Sequence, residues 1–440
     1  MWKPEISGPT IEPSRIVDAL RHDIRRGILR FGDRLPAQRE LASALGVNLS
    51  TISKAYQEAS DKRLIAGEVG RGTFVLALSA EDELLRKASR AEKLVDLAAN
   101  VPAPLPEDGR FLEALAGLTP DEQRELTRYA SPALLERSAQ AGARWLAPRG
   151  LDPQATVIPC VGAHAALMAL LIERTEPGDP VVVESFTFPG MKALAKQLRL
   201  RLIAVDQDDD GVLPEAFDAA VRRSRARLAV LVPNLHNPTG SVMAEHRRTE
   251  IANLVERHGL TVIEDDVYGH FTDAPLLAPR LNGRGIVISS LSKTVMAGLR
   301  FGVIASDAAQ IASLSSSPHL TDWLTTPMAL YLGAHWIESG LAFERVEKQV
   351  AEMNARWQIM SEVLGGSPRP PSPHLWLSVR GDPDDVVSES RKRGVAVVSA
   401  NVFAAGRKSA PRIRVSLMGA TSGEELRSAL QRLTTLGVHA

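Results

Sequence analysis

The chain has 440 residues, is 44% hydrophobic, carries no net formal charge and has a single cysteine. That length fits two or three domains with a large core. The charge balance excludes an overall basic nucleic-acid coat and an acidic disordered chain, and one cysteine excludes an intrachain disulfide framework, which fits a reducing compartment.

No apolar run approaches the roughly 20 residues that span a bilayer. The start of the chain, with Pro4, Pro9 and Pro13, has no signal-peptide core. The expected location is cytoplasmic, without membrane association.

Ile16, Leu20, Ile24 and Ile28 recur every four residues and predict a helix starting near Ser14, a good N-cap. Gly32-Asp33 reads as a turn. Pro36 suits the first turn of a second helix, Ala37–Leu45, which Gly46 ends. Asn48 is placed to cap a third helix with an apolar face of Ile52, Ala55, Tyr56 and Ala59. Short strands Leu64–Ala66 and Thr73–Leu76 flank the turn Gly67-Glu68-Val69-Gly70-Arg71-Gly72. This order is that of a winged helix-turn-helix over residues 1–78. Residues 1–79 hold twelve Lys/Arg against nine Asp/Glu, a local basic excess in a neutral chain.

The stretches Leu35-Pro36-Ala37-Gln38-Arg39-Glu40-Leu41-Ala42, Leu45-Gly46-Val47-Asn48-Leu49-Ser50-Thr51-Ile52 and Gly70-Arg71-Gly72-Thr73-Phe74-Val75 closely resemble the GntR family of repressors. The resemblance implies binding to a double-stranded DNA operator. It places Arg39 on the DNA from the second helix, Asn48, Ser50, Thr51 and Lys54 on the recognition helix, and Arg71 in the minor groove from the wing. The sequence departs from the commonest pattern at Leu49, where many relatives carry Arg, and at Ser53, the next expected basic position. Base specificity is therefore not carried over.

Residues 79–95 are charge-rich (Glu81, Asp82, Glu83, Arg86, Lys87, Arg90, Glu92, Lys93) and read as a solvated helical linker. Cys160, alone after a strand-like run, reads as a small buried apolar residue. From residue 150 strands alternate with helices. The strand candidates are Val181–Glu184, Leu202–Val205, Leu228–Val232, Thr261–Glu264 and Gly285–Ser289. The helix candidates are Ala163–Arg174, Pro189–Leu200, Pro214–Arg223 and Glu245–His258. Continuous β-branched runs predict strands buried on both faces of a mainly parallel sheet, with ligands beyond the strands' carboxyl ends.

Polar residues gather after those strands: Asn237-Pro238-Thr239-Gly240, Asp265-Asp266-Val267-Tyr268, and Ser290-Leu291-Ser292-Lys293 with Gly298-Leu299-Arg300 following. The set resembles the fold-type I aminotransferases over residues 96–440, a large mainly parallel α/β domain with a smaller α+β domain. The resemblance implies pyridoxal 5'-phosphate as cofactor. Lys293 supplies the amine that holds its aldehyde as a Schiff base, the catalytic position. Asp265 keeps the pyridine nitrogen protonated, and Asn237 and Tyr268 serve the phenolate oxygen. Gly162, Ala163 and His164 offer a helix start to the phosphate, with Ser290, Ser292 and Arg300. Phe188 is the expected stacking ring, Tyr129 the residue that reaches the neighbouring subunit's phosphate, and Arg414 the grip on a ligand carboxylate. Asp266 reads as a solvated or helix-capping neighbour, Phe186 as core and Arg412 as an exposed strand charge. His164, His236 and His270 lack metal-ligand spacing, so no metal site is expected.

A GntR-type winged helix joined to an aminotransferase-like domain resembles the MocR subfamily of bacterial transcription regulators over essentially the full length. The resemblance implies a domain-swapped homodimer whose cofactor domain senses an amino compound or a B6 vitamer and changes the grip on DNA. The alternative function is a catalytically active aminotransferase with an accessory DNA-binding domain, since the aminotransferase-like residues are retained.

Overall fold

The computed structural model describes the chain apart from residues 1, 5, 7–10, 26–27, 30–32, 63, 69–71, 77–93, 107, 109–112, 316–321, 367–368, 407–409 and 440. It divides into two compact units, residues 1–92 and 93–440.

In the first unit three helices, α1 (Pro13–Arg25), α2 (Gln38–Leu45) and α3 (Leu49–Asp61), precede a hairpin of β1 (Ile65–Glu68) and β2 (Gly72–Val75). Helix α1 begins at Pro13, whose fixed φ suits a first helical turn. Ser14, expected as the cap, is therefore inside the helix. Ile16, Leu20 and Ile24 are buried, whereas Ile28 lies beyond the helix end and is 56% exposed; Leu29 enters the core instead. Gly46 closes α2 with φ 66°, a left-handed conformation that costs glycine little, and its N–H returns to Ala42 and Ser43. Asn48 does occupy the cap of α3, but its side chain makes no capping bond. The four expected core residues of α3 are all buried, and Tyr56 Oη donates to the Pro36 carbonyl at 2.9 Å, fixing α3 against the start of α2. Strand β1 starts one residue and ends two residues later than expected, and β2 lies one position earlier. Strand β2 has a second neighbour that the sequence did not signal: the Leu35 N–H reaches Thr73 O at 2.9 Å and the Val75 N–H reaches Asp33 O at 3.0 Å. The expected helical linker lies almost wholly outside the described residues. Its last residue, Val95, already belongs to the second unit, where β3 (Val95–Asp96) pairs with Val395–Ala396.

The second unit is built on a seven-stranded sheet. Its strands are β4 (Thr156–Cys160), β5 (Pro180–Glu184), β6 (Arg201–Val205), β7 (Leu228–Leu231), β8 (Thr261–Asp265), β9 (Gly285–Ser290) and β10 (Gly302–Ser306), in the order β4-β10-β9-β8-β7-β5-β6. Five neighbouring strands run parallel; β10 is antiparallel to both β9 and β4. Alternate residues enter different cores: Val181 and Val183 pack on one face and Val182 on the other, as do Ile286 and Ile288 against Val287. Burial on both faces is why these strands are unbroken apolar runs. Helices Ala163–Arg174 and Glu245–His258 fall where the sequence placed them. Pro189–Gln197 stops three residues short of expectation, because Arg199 turns left-handed (φ 59°) and the Leu200 N–H folds back onto Ala195 O at 2.7 Å. A smaller antiparallel sheet, Val398–Ser399, Arg412–Ser416, His374–Val379 and Val438–His439 in that order, is covered by helices Leu341–Leu364 and Gly423–Thr434 through Met360, Leu426, Leu430 and Leu433. No described helix is long and apolar enough to cross a membrane.

Candidate functional site

The carboxyl ends of the parallel strands deliver the polar residues to one place. Asp265 ends β8, Ser290 ends β9, and Lys293 follows three residues later. Lys293 Nζ donates to the Asn100 carbonyl at 2.9 Å. Burial, assisted by Arg414 and Arg300 and opposed by Asp265, brings its amine down to about 8. Burial raises the Asp265 carboxyl to about 6, with Lys293 pulling the other way. Two half-buried groups of opposite charge thus sit close enough to bias one another.

Arg414, from the middle of the small antiparallel sheet, is 4% exposed. It donates to Asn237 Oδ1 at 3.2 Å and to the Ala98 carbonyl, and its guanidinium lies 5.3 Å from the Phe403 ring centre. Its Nε has no hydrogen-bond partner among the described residues, so this buried cation retains a donor for an anionic group. The Asn237–Pro238 peptide is cis. Tyr268 is buried and its hydroxyl accepts from Asn100 Nδ2 at 2.8 Å.

An anion cradle forms where β4 turns into helix Ala163–Arg174. The first helical bond runs from Ala166 N to Gly162 O, leaving the N–H groups of Ala163, His164 and Ala165 without helical partners. Gly162 has φ 84°, and a Cβ there would stand 2.8 Å from Arg300 Nη2; a Cβ on Gly302 would strike Gly162 Cα at 2.6 Å. The glycines are thus what let the strand end, the helix start and the guanidinium converge. Arg300 is itself left-handed (φ 61°), a conformation that a non-glycine residue holds only under constraint, and it donates to Ser292 Oγ at 3.4 Å. Ser290 Oγ accepts from Ser292 N. The Phe188 ring is half-buried and meets His164 edge-on at 6.0 Å.

A cradle of N–H groups without helical partners beside a cation, a lysine amine near a carboxylate, and two buried polar atoms unsatisfied among the described residues, Arg414 Nε and Asn100 Oδ1, fit pyridoxal phosphate. When bound, that group supplies an electron sink. The protein's part is to seat its phosphate, ring nitrogen and ring oxygen.

Other expected residues lie apart from this cluster. Tyr129 is 91% exposed and makes no hydrogen bond among the described residues. In the first unit Arg39, Asn48, Ser50 and Lys54 are exposed and Thr51 is half-exposed, on the side of α2 and α3 away from the core. Neither Arg39 nor Lys54 has an ion-pair partner among the described residues, as a phosphate-binding cation requires. Arg71 lies outside the described residues. Among the described residues no group of three or more His, Cys, Asp and Glu is placed to hold a metal.

Two readings need correction. Asp266 is neither solvated nor a helix cap: it is fully buried and accepts from Arg149 Nε at 3.1 Å and from Asn234 Nδ2 at 2.8 Å. Arg412 is half-buried and donates to Trp376 O at 3.1 Å. Cys160 and Phe186 are core, as expected. Sequence reasoning missed Ala98, Asn100, His374, Phe403 and Arg149. None belongs to a motif, and each reaches the site only through contacts spanning a hundred residues or more, except Phe403, which sits eleven residues from Arg414. The one available signal was Asn100 itself, a polar side chain between an apolar run and Val101-Pro102.

The family model for aminotransferase class I and II matches residues 92–433, and that for bacterial regulatory proteins of the gntR family matches residues 13–75. The chain is 27% identical over 446 aligned positions to the uncharacterized HTH-type transcriptional regulator YdeF of Bacillus subtilis, covering 99% of this chain and 96% of YdeF. It is 33% identical over 311 positions to the vitamin B6 salvage pathway transcriptional repressor PtsJ of Salmonella typhimurium, covering 68% of this chain and 69% of PtsJ. Its fold matches that of LysN, an α-aminoadipate aminotransferase from Thermus thermophilus, with a TM-score of 0.72 at 22% identity over 87% of this chain and 97% of LysN. The chain therefore belongs to the aminotransferase class I and II family and, with a gntR-family helix-turn-helix ahead of that domain, to the MocR-type HTH transcriptional regulators.

Proposed function

We propose that this protein is a DNA-binding transcription regulator whose aminotransferase-like unit binds pyridoxal phosphate and senses an amino compound or a B6 vitamer. The observation that carries the reading is the convergence of Lys293, Asp265, Tyr268 and Arg414 in one unit of a chain whose other unit is a winged helix. In this reading Lys293 holds the cofactor, Asp265 its ring nitrogen, Asn237 and Tyr268 its ring oxygen, and Gly162, Ala163, His164, Ser290, Ser292 and Arg300 its phosphate. Phe188 covers the ring and Arg414 grips an effector carboxylate. The B6 theme in the name of PtsJ supports a vitamer as one candidate effector.

The route from ligand to DNA starts within the site. Ala98 and Asn100, which hold Arg414 and Lys293, follow β3 by two and four residues, on the stretch of chain that leads back to the winged helix. A ligand that takes over either side chain must break its bond to this stretch, and an effect on the DNA-binding unit follows only if the two states differ in affinity for the ligand. The functional form is a homodimer with exchanged domains; the exposure of Tyr129 supports a role across the subunit boundary. The decisive experiment is a gel shift of the full chain on its own upstream DNA, with and without pyridoxal phosphate and candidate amines. Retardation that responds to the cofactor or an amine is the expected result; retardation indifferent to every one of them would overturn the sensor reading.

A further inference from the structure

We propose that Asn100, backed by His374, is a positioning residue that fixes the direction of the Tyr268 hydroxyl proton. The inference rests on the reading that Tyr268 serves the cofactor's ring oxygen.

The geometry leaves one consistent arrangement of hydrogens. His374 Nε2 is 2.9 Å from the His236 carbonyl oxygen, which can only accept, so Nε2 carries a hydrogen. His374 is 1% exposed, and burial, then Arg414, push its imidazole down to about 3, so it is neutral. A neutral ring has one N–H, and Nδ1 must therefore accept. Its neighbour at 3.2 Å is the Asn100 side chain, which has to present its amide nitrogen there. The same nitrogen's second hydrogen goes to Tyr268 Oη at 2.8 Å. Tyr268 receives a hydrogen bond from one side, and its own proton is left for a partner in the pocket. The ring of His374 also braces the phenol, with ring centres 5.3 Å apart.

Donation thus runs outward from the Asn100 amide in both directions, through His374 to the His236 carbonyl on one side and through Tyr268 into the pocket on the other, and its two diverging hydrogens orient both rings. The Asn100 backbone carbonyl, which holds Lys293, is untouched by any change of its side chain. Neither Asn100 nor His374 belongs to the sequence motifs that mark the site.

A donor on the ring oxygen stabilises its negative charge and lowers the proton affinity of the chromophore. Loss of that donor raises the pH midpoint of the cofactor's absorbance change. The test compares full-length protein loaded with pyridoxal phosphate as wild type, Asn100→Ala, Tyr268→Phe and the double variant. Asn100→Ala is expected to raise the midpoint by about half to one pH unit, the scale of one neutral hydrogen bond. The double variant is expected to match Tyr268→Phe alone, because the asparagine acts only through the tyrosine. A wild-type midpoint in Asn100→Ala, or a shift that adds in full to that of Tyr268→Phe, would overturn the proposal. If Asn100→Ala does not fold, His374→Phe replaces it: a smaller rise supports the relay, and an unchanged midpoint ends it. Wild-type protein that takes up no cofactor removes the cofactor reading itself, whereas loaded wild type beside indifferent Asn100 and His374 variants removes this inference alone.

Discussion

Arg149 and Asp266 form an ion pair sealed in the interior, with Arg149 Nε 3.1 Å from Asp266 Oδ2 across 117 residues of sequence. Arg149 also donates to the carbonyls of Thr272 and Ala274, and Asn234 and Arg248 extend the network. A buried pair is weak support for net stability, but removing one partner strands the other charge. Arg149→Met is expected to destabilise the second unit by about 3–5 kcal/mol, and Arg149→Met with Asp266→Leu by less than either single change. Urea unfolding followed by tryptophan fluorescence checks this, since Trp145 stands in the adjoining core.

That pair also marks where the sequence stopped being informative. Periodic and unbroken apolar runs placed the parallel strands to within a residue or so, because burial on both faces writes itself into consecutive positions. The residues at the strand ends were legible too: Asp265 ends a strand, and Asn237 and Lys293 each follow one at short range. Asp266 looked like a bystander because its partner, Arg149, is specified by tertiary contact and not by spacing. Asn100 and His374 were invisible for the same reason: they are 274 residues apart in sequence and meet at 3.2 Å. Ile28 fails in the other direction, keeping the period of α1 after the helix has ended.

Lys293 is expected to be the only covalent attachment point for the cofactor. Borohydride treatment of loaded wild type should add the reduced cofactor's mass and fix it to the peptide containing Lys293. Lys293→Ala should show no such adduct while keeping its fold. Mass spectrometry of the digested protein reads both, and an adduct on Lys293→Ala would refute the assignment.

The depressed amine sets a pH window for cofactor capture. An unperturbed lysine titrates near 10.4, so its nucleophilic neutral fraction keeps rising throughout the range from 7 to 10. With Lys293 at about 8, the rate of cofactor uptake by the apoprotein should rise from neutral pH and level off above about 8. Stopped-flow absorbance at a series of pH values measures this. A rate still climbing at pH 10 would mean that burial and Arg414 do not hold the amine down.

In the proposed reading Arg414 sorts ligands by their carboxylate. Arg414→Gln keeps a donor and removes the charge. Charge-assisted hydrogen bonds exceed neutral ones by about 1 kcal/mol or more, so the concentration of an amino acid needed for half of the spectral change should rise at least about fivefold. A simple amine without a carboxylate should be affected little. Titrations of both ligand types on the loaded protein make the comparison, and equal losses for both would show that the guanidinium acts on the pocket as a whole.

On the DNA-binding unit, position and charge separate two kinds of contact. Arg39 is exposed, unpaired among the described residues and near the start of α2, which suits a phosphate. Arg39→Ala should weaken binding to specific and unrelated duplexes alike and reduce the slope of log affinity against log salt by about one. Ser50 lies at the exposed start of α3 with Lys54 one turn on, the end that a recognition helix presents to base edges. Ser50→Ala should leave the salt slope unchanged and lower the ratio of specific to unrelated binding. Fluorescence anisotropy at several salt concentrations reads both. Identical effects of the two substitutions would mean that α3 does not enter the groove by its amino-terminal end.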